Sequence, residues 1–370
     1  MSARVRPLAV PLPSRVTASV AARLRPPAID AARAARVLDA YDLVARGRPR
    51  TLGMGRRSGN VVLRTPAGRQ VLKRYRDAWK PETIAYGHEV LGRLRAAGAP
   101  APTLAATPDG RTFVEDDGAR FAVFGFVDGR SYASTWTRRR DRLALLERAG
   151  ATLARMHAAL RGWEPEGTHH LASTWSDGAG PGGLPWYEER AAAMQRTPGW
   201  DSPADRFAEV RDALAGVAFP TTVIHGDFGL HNVLVVRDGT VVPVDLELAR
   251  LDLRAHDLVL TIGKLRDARP AAPDVEAIEA FARGYAAATA TPLTEPELAR
   301  LPELWRRYHL ASAIRAWDLF EGTGRADRRD AAARALDRAG WLDARPDVVE
   351  RLCAALAAPA DRTVEEPADA

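Results

Sequence analysis

The chain has 370 residues, 46% of them apolar and 27% charged, which gives enough apolar side chain for a sizeable core and a length suited to two domains. This balance excludes a wholly disordered chain and a fibrous repeat. The single cysteine, Cys353, excludes an intrachain disulfide and suits a reducing, cytoplasmic setting, and no run approaches the ~18 apolar residues of a membrane span. The net charge of +6 comes from arginines spread along the chain, so it is read as composition and not as a nucleic-acid surface. Of 53 basic residues only Lys73, Lys80 and Lys264 are lysines. Each is therefore a candidate for a position that arginine cannot fill.

Residues 1–26 contain no acidic residue and no continuous apolar core, and read as an N-terminal arm. An alanine-rich helix is expected from Ile29 to Val44. Asn60–Arg64 and Gln70–Lys73 then read as a hairpin turning at Thr65–Gly68. A helix over Pro81–Ala97 follows, with Ile84, Leu91 and Leu94 on one side, and Gly98–Pro102 stops it. Two short strands are expected near Thr112–Glu115 and Arg120–Phe124, turning at Asp116–Gly118. Beyond residue 130 the chain becomes mainly helical: Arg138–Leu160, Pro203–Val217, Asp274–Ala288, Glu295–Glu321, Asp327–Ala339 and Pro346–Ala357. The tail after Pro359 is polar and acidic, as fraying ends are.

One β-rich interruption, Thr222–Val244, carries the chemistry. An apolar strand delivers Asp227 at its end, Asn232 comes five residues later, and a hairpin turning at Arg237–Gly239 brings the chain to Asp245 at the end of a second apolar strand. Two carboxylates and an amide gathered at one point are what phosphoryl transfer requires. One carboxylate orients and deprotonates an acceptor hydroxyl, while oxygen ligands hold Mg²⁺ against the nucleotide phosphates.

The stretch His225-Gly-Asp227, Asn232 and Val244-Asp245-Leu-Glu247 resembles the Brenner-type motif of the aminoglycoside phosphotransferase and choline kinase family, a branch of the protein-kinase-like fold and of the broad bacterial phosphotransferase enzyme family. The resemblance implies that Asp227 is the catalytic base, that Asn232 and Asp245 bind Mg²⁺, and that His225 braces the loop. It further implies that Lys73, aimed by Glu89 on the following helix, meets the ATP phosphates, and that Asp257 supports the active-site loops. Leu153-Ala-Arg-Met-His157 is a further match, with His157 read as packed and hydrogen-bonded. In such a fold the glycine loop is Gly53–Gly59, with Gly55 and Ser58 offering donors to phosphate. The hinge is Phe124–Gly129, with Gly125 and Val127 meeting the adenine.

The expected architecture is α+β and bilobal. Residues 1–44 form an arm and helix, 45–124 an N-lobe with a small antiparallel sheet, 125–130 a hinge, 131–358 a mainly helical C-lobe, and 359–370 a flexible tail. The expected partners are a nucleotide and a small-molecule hydroxyl acceptor, with no nucleic acid and no membrane. The acceptor classes are an amino sugar or aminoglycoside, homoserine, or an aminoalcohol. A protein or peptide kinase is a rival, opposed by the lack of an Ala-Pro-Glu segment after Asp245. A non-catalytic nucleotide-binding regulator is another. His169–His170 near Glu164 and Glu166 lacks ligand spacing and reads as loop polarity. On the long helix, Trp305, Tyr308, Trp317 and Phe320 read as core. Glu303, Asp318 and Glu321 against Arg306, Arg307 and Arg315 leave the acceptor's charge open.

Overall fold

A computed structural model describes residues 29–52, 59–132, 139–163, 183–265 and 273–357. The glycine-loop candidates Gly55 and Ser58, and the His169–His170 pair with Glu164 and Glu166, lie outside the described residues. The chain divides into two compact units, Met1–Trp79 with Ala105–Gly125, and Lys80–Leu104 with Phe126–Ala370.

The first unit is built on a five-stranded antiparallel sheet, in the order β1-β2-β3-β5-β4. Its strands are β1 (Arg50–Thr51), β2 (Gly59–Thr65), β3 (Gly68–Arg74), β4 (Val114–Asp116) and β5 (Ala119–Gly125). Alternation puts Val61, Leu63, Leu72, Phe121 and Val123 on one face, where helix α1 (Ala31–Asp39) covers them with Ala34, Val37 and Leu38. Asp30 caps that helix by accepting from Arg33 N, and Arg33 and Arg36 both pair with Asp116 on β4. The helix read from sequence as part of an N-terminal arm therefore belongs to the sheet's own core. Lys73 is next to Leu72 and so faces the other side of the sheet, opposite Asn60 and Ala122.

Helix α2 (Pro81–Ala96) was expected in the first lobe, but it clusters with the second unit. The reason is its apolar face. Tyr86, Val90 and Leu94 pack into the helical unit's core. That unit contains β6 (Gly129–Ser131), α3 (Arg139–Leu160), α4 (Leu184–Arg196), α5 (Pro203–Leu214) and β7 (Thr221–Ile224). The hairpin β8 (Val233–Val236) and β9 (Val241–Pro243) follows, then β10 (Arg250–Leu253), α6 (Arg254–Ile262) and α7 (Val275–Ala288). Helices α8 (Glu295–Ala299), α9 (Leu301–Thr323), α10 (Ala326–Ala339) and α11 (Pro346–Ala357) complete it.

The helix expected over Glu295–Glu321 is two helices. Pro302 has no N–H for the helix ladder, and its ring would clash with the carbonyl of Leu298, so α8 ends and α9 restarts at Leu301. Trp305, Tyr308 and Trp317 are buried in the core, as read from sequence, and Trp305 Nε1 donates to Arg338 O at 2.8 Å.

Helices α3 and α7 cross so closely that only glycine fits at the contact. A Cβ on Gly284 would lie 1.9 Å from Glu147 O, and one on Gly150 would lie 2.0 Å from Phe281 O. Ala normally gains up to ~1 kcal/mol over Gly in a helix. Here the backbone clash outweighs that gain, and Gly284→Ala is expected to cost about 2–3 kcal/mol and roughly 5–10 °C in Tm. Gly92→Ala on α2, where nothing lies within 4 Å, is the matched control and is expected to stabilise slightly. Thermal unfolding of the two variants checks both signs.

Candidate active site

Strand β7 pairs antiparallel with β10, not with the β8–β9 hairpin. The loop between β7 and β8 therefore leaves the two-stranded ladder at Ile224 and holds residues 225–232. Gly226 sits at φ +73, and a Cβ there would lie 2.1 Å from Leu248 O. Only glycine lets the chain turn at this point and present Asp227.

His225 is fully buried, and burial pushes its imidazole below the ordinary value, so the ring is neutral. Nδ1 accepts from Asp227 N–H at 3.3 Å, which leaves Nε2 as the donor to Val244 O at 3.2 Å. One ring thus ties the Asp227 loop to the residue before Asp245. A second tie runs from Val244 N to Asn232 O at 2.9 Å. The charges of both Asp227 and Asp245 reach His225. Asp227, Asn232 and Asp245 are therefore drawn together around this loop.

The Asp227 carboxylate is partly exposed and held on both oxygens. Oδ2 accepts from Asn232 Nδ2 at 3.0 Å and from His231 Nε2 at 3.3 Å, and Oδ1 from Lys264 Nζ at 2.5 Å. Asn232 Nδ2 also donates to Asp227 O at 3.0 Å, so its amide oxygen points away from Asp227. Burial opposes ionisation of Asp227. The His231 hydrogen bond and the Lys264 ammonium override it and hold the carboxyl well below the usual carboxylate range. Asp245 has φ +70 and ψ 63, a left-handed conformation that a non-glycine residue seldom keeps.

Beneath this loop lies Asp257, on α6 and completely buried. Its Oδ2 accepts from His225 N at 2.6 Å and its Oδ1 from Gly226 N at 2.9 Å. His157 Nε2 meets the same carboxylate at 3.3 Å, and His157 Nδ1 meets the Tyr285 hydroxyl at 2.9 Å. Burial alone would raise the Asp257 carboxyl, yet the His157 hydrogen bond and these backbone donors lower it. Thr261 Oγ1 adds a bond to Phe228 O at 2.6 Å. His157 is packed and bonded, as read from sequence.

Lys73 lies in the first unit, on β3, buried, with Nζ 5.0 Å from the centroid of the Tyr75 ring. Glu89 lies in the second unit, on the exposed side of α2. Gly125 ends β5, and Val127 O accepts from Gly129 N at 2.9 Å just before β6. Sequence reasoning named neither Lys264 nor His231 as part of the site. For Lys264 the available signal was its rarity in an arginine-dominated chain. Among the charged groups of α9, Arg306 pairs with Asp343, and Arg307 is buried over the Phe207 ring at 4.2 Å. Both serve packing.

Comparison with known proteins identifies the fold and the family. The chain is 28% identical over 274 residues to a homoserine kinase of Caulobacter sp. (strain K31), covering 72% of this chain and 79% of that one. Among solved structures it resembles the amicoumacin kinase hAmiN, in complex with AMP-PNP, Ca²⁺ and Ami, at TM-score 0.60 and 14% identity, over 80% of this chain and 87% of that one. It resembles a microcompartment-associated aminopropanol kinase at TM-score 0.59 and 18% identity, over 88% and 96%. A choline/ethanolamine kinase family protein from Mesorhizobium loti follows at TM-score 0.58 and 18% identity, over 84% and 93%. These likenesses establish the kinase-like α+β fold. The sequence model described as "Phosphotransferase enzyme family" matches residues 48–299, so the chain belongs to that family and is a small-molecule kinase.

Proposed function

We propose that the chain moves the γ-phosphoryl group of ATP, with Mg²⁺, to a hydroxyl of a small molecule. The acceptor classes are an amino sugar or aminoglycoside, homoserine, or an aminoalcohol. The observation that carries this reading is Asp227. It is a partly exposed carboxylate, kept ionised and fixed in direction by Asn232, His231 and Lys264 at the mouth of a glycine turn. A carboxylate so placed accepts a hydrogen bond from an incoming hydroxyl and takes its proton as the oxygen attacks phosphorus.

Among the described residues no three His, Cys, Asp or Glu side chains gather into a complete metal site. The amide oxygen of Asn232 and the carboxylate of Asp245 are hard oxygen donors. Mg²⁺ prefers such a partial set, with substrate phosphates and water completing its shell. Those two residues would hold the ion, which supplies neutralisation of the phosphate charge. Lys73 would bind the nucleotide phosphates, with Glu89 as its partner, Gly125 and Val127 would meet the adenine, and Gly55 and Ser58 would meet phosphate.

The test is nucleoside diphosphate release from Mg²⁺-ATP against a panel of amino sugars, aminoglycosides, neutral sugars, homoserine and choline. Stimulation by one class, lost in Asp227→Asn, supports the reading and identifies the acceptor class. ATP binding without stimulation by any acceptor or by water opposes it. Lys73→Ala is expected to raise the KM for ATP by about tenfold, a loss of roughly 1.4 kcal/mol of binding, without unfolding the first unit. An unchanged KM would remove Lys73 from the phosphate site.

A further inference from the structure

Lys264 stands 37 residues beyond Asp227, outside the motif, yet its ammonium lies 2.5 Å from Asp227 Oδ1. The helix that ends just before it, α6, is fixed along its length. At its start Arg254 donates to Glu297 through Nε at 3.1 Å and Nη2 at 2.5 Å. One turn on, Asp257 holds the backbone of His225 and Gly226. Thr261 then holds Phe228 O, and Lys264 N closes on Thr261 O at 3.0 Å. A single nine-residue helix and the residues that end it therefore grip this loop at its entry, at the residue after Asp227 and at the Asp227 carboxylate.

We propose that Lys264 is a further catalytic residue of the transfer. Its ammonium holds Asp227 Oδ1 until the acceptor hydroxyl arrives there, then donates to the phosphoryl group as it crosses. This rests on the reading of Asp227 as the base. Two groups that each hydrogen-bond to one oxygen at ~2.7 Å are no more than ~5.4 Å apart. Any hydroxyl on Asp227 Oδ1, and the phosphorus it attacks, is therefore within reach of a flexible four-carbon side chain. In the step, the acceptor proton passes to Asp227 and the acceptor oxygen forms the new O–P bond. The bond from the γ-phosphorus to its bridging oxygen breaks, and the nucleoside diphosphate leaves with that electron pair. Lys264 stays an ammonium and only changes acceptor. A compact, rotatable point charge can make that exchange. The flat fork of arginine, which binds both carboxylate oxygens at once, is ill-suited to it. That explains a lysine here in a chain that uses arginine almost everywhere.

The experiment compares Lys264→Met and Lys264→Gln with Asp227→Asn. Turnover is read as nucleoside diphosphate release, with the most stimulating acceptor or with water. The lysine variants should lose about 10²-fold in kcat, the usual effect of removing one donor to a transition state. The KM for ATP should stay within about threefold and Tm within about 2 °C. A second readout needs no turnover: acylation of the three lysines, followed by mass spectrometry. Lys264 should react more slowly than the exposed Lys80, and faster once Asp227 is Asn. Turnover within about threefold of the parent in either variant overturns the proposal. So does a loss of kcat that comes with a lowered Tm, or the failure of both variants to fold, since Lys264 would then be a structural brace. Normal turnover in Asp227→Asn instead refutes the base assignment, whereas a dead Asp227→Asn beside an active Lys264→Met refutes the lysine's role alone.

Discussion

Replacing Asp227 by Asn should lower turnover by at least ~10²-fold while nucleotide affinity stays within about threefold, because a positioned general base contributes ~10²–10⁴-fold. The substitution keeps the size of the side chain and removes its charge. Asn232 Nδ2 and His231 Nε2 still find one oxygen acceptor, but the new NH₂ group then faces the Lys264 ammonium, donor against donor. The variant therefore loses both the proton acceptor and the orientation that Lys264 gives it. Stability should change little, by less than about 1 kcal/mol, since the carboxylate and its partners are partly solvated. Steady-state turnover, nucleotide titration and thermal unfolding measure the three quantities separately. Near-normal turnover would remove Asp227 from the base role.

The residues that were legible in the sequence are those whose meaning is local. Asp227, Asn232 and Asp245 fall within 20 residues, at strand ends and a hairpin that the apolar pattern marks, so their convergence follows from the turn alone. Strand β10 was not legible. Its Arg250-Leu-Asp-Leu253 looks like a polar loop because two of its four residues are charged. The structure buries both charges by pairing them, with Arg250 Nε donating to Asp252 Oδ2 at 3.0 Å, and only then does the segment lie against β7. Helix α6 escaped for the same reason: Arg254, His256 and Asp257 are all buried, so its polar residues do not mark a solvent face. Lys264 depends on where that helix ends. Its distance of 37 residues from Asp227 is bridged by tertiary packing that no periodicity encodes. The placement of α2 was ambiguous in kind. A helix inserted between strands reads as part of their unit, and only its contacts give Tyr86, Val90 and Leu94 to the other core.

Asp257→Asn is expected to be the most damaging single-atom exchange, costing about 3 kcal/mol of stability and at least ~10²-fold in turnover. Asp257 is completely buried and only accepts: from His225 N, from Gly226 N and from His157 Nε2. Asparagine offers one accepting oxygen, and its NH₂ group must face a donor whichever way the amide turns. Each buried donor left unsatisfied costs about 1–3 kcal/mol, and removing one partner of a buried charged network typically costs 3–5. The backbone at His225 and Gly226 is what aims Asp227, so relaxation there should move the Asp227 carboxylate as well as lower stability. This separates Asp257 from Asp227, whose replacement should affect turnover alone. The pH dependence has a definite sign. The folded carboxyl of Asp257 lies below its unfolded value of about 3.9, so its contribution is present above that value and is lost as the pH falls through the folded value. The stability gap between parent and Asn variant should therefore be widest near neutral pH and narrow on acidification below about pH 4, which denaturant titrations at pH 7 and at pH 3.5 would measure. A gap that is equal at both would mean that Asp257 contributes through shape and packing and not through its charge.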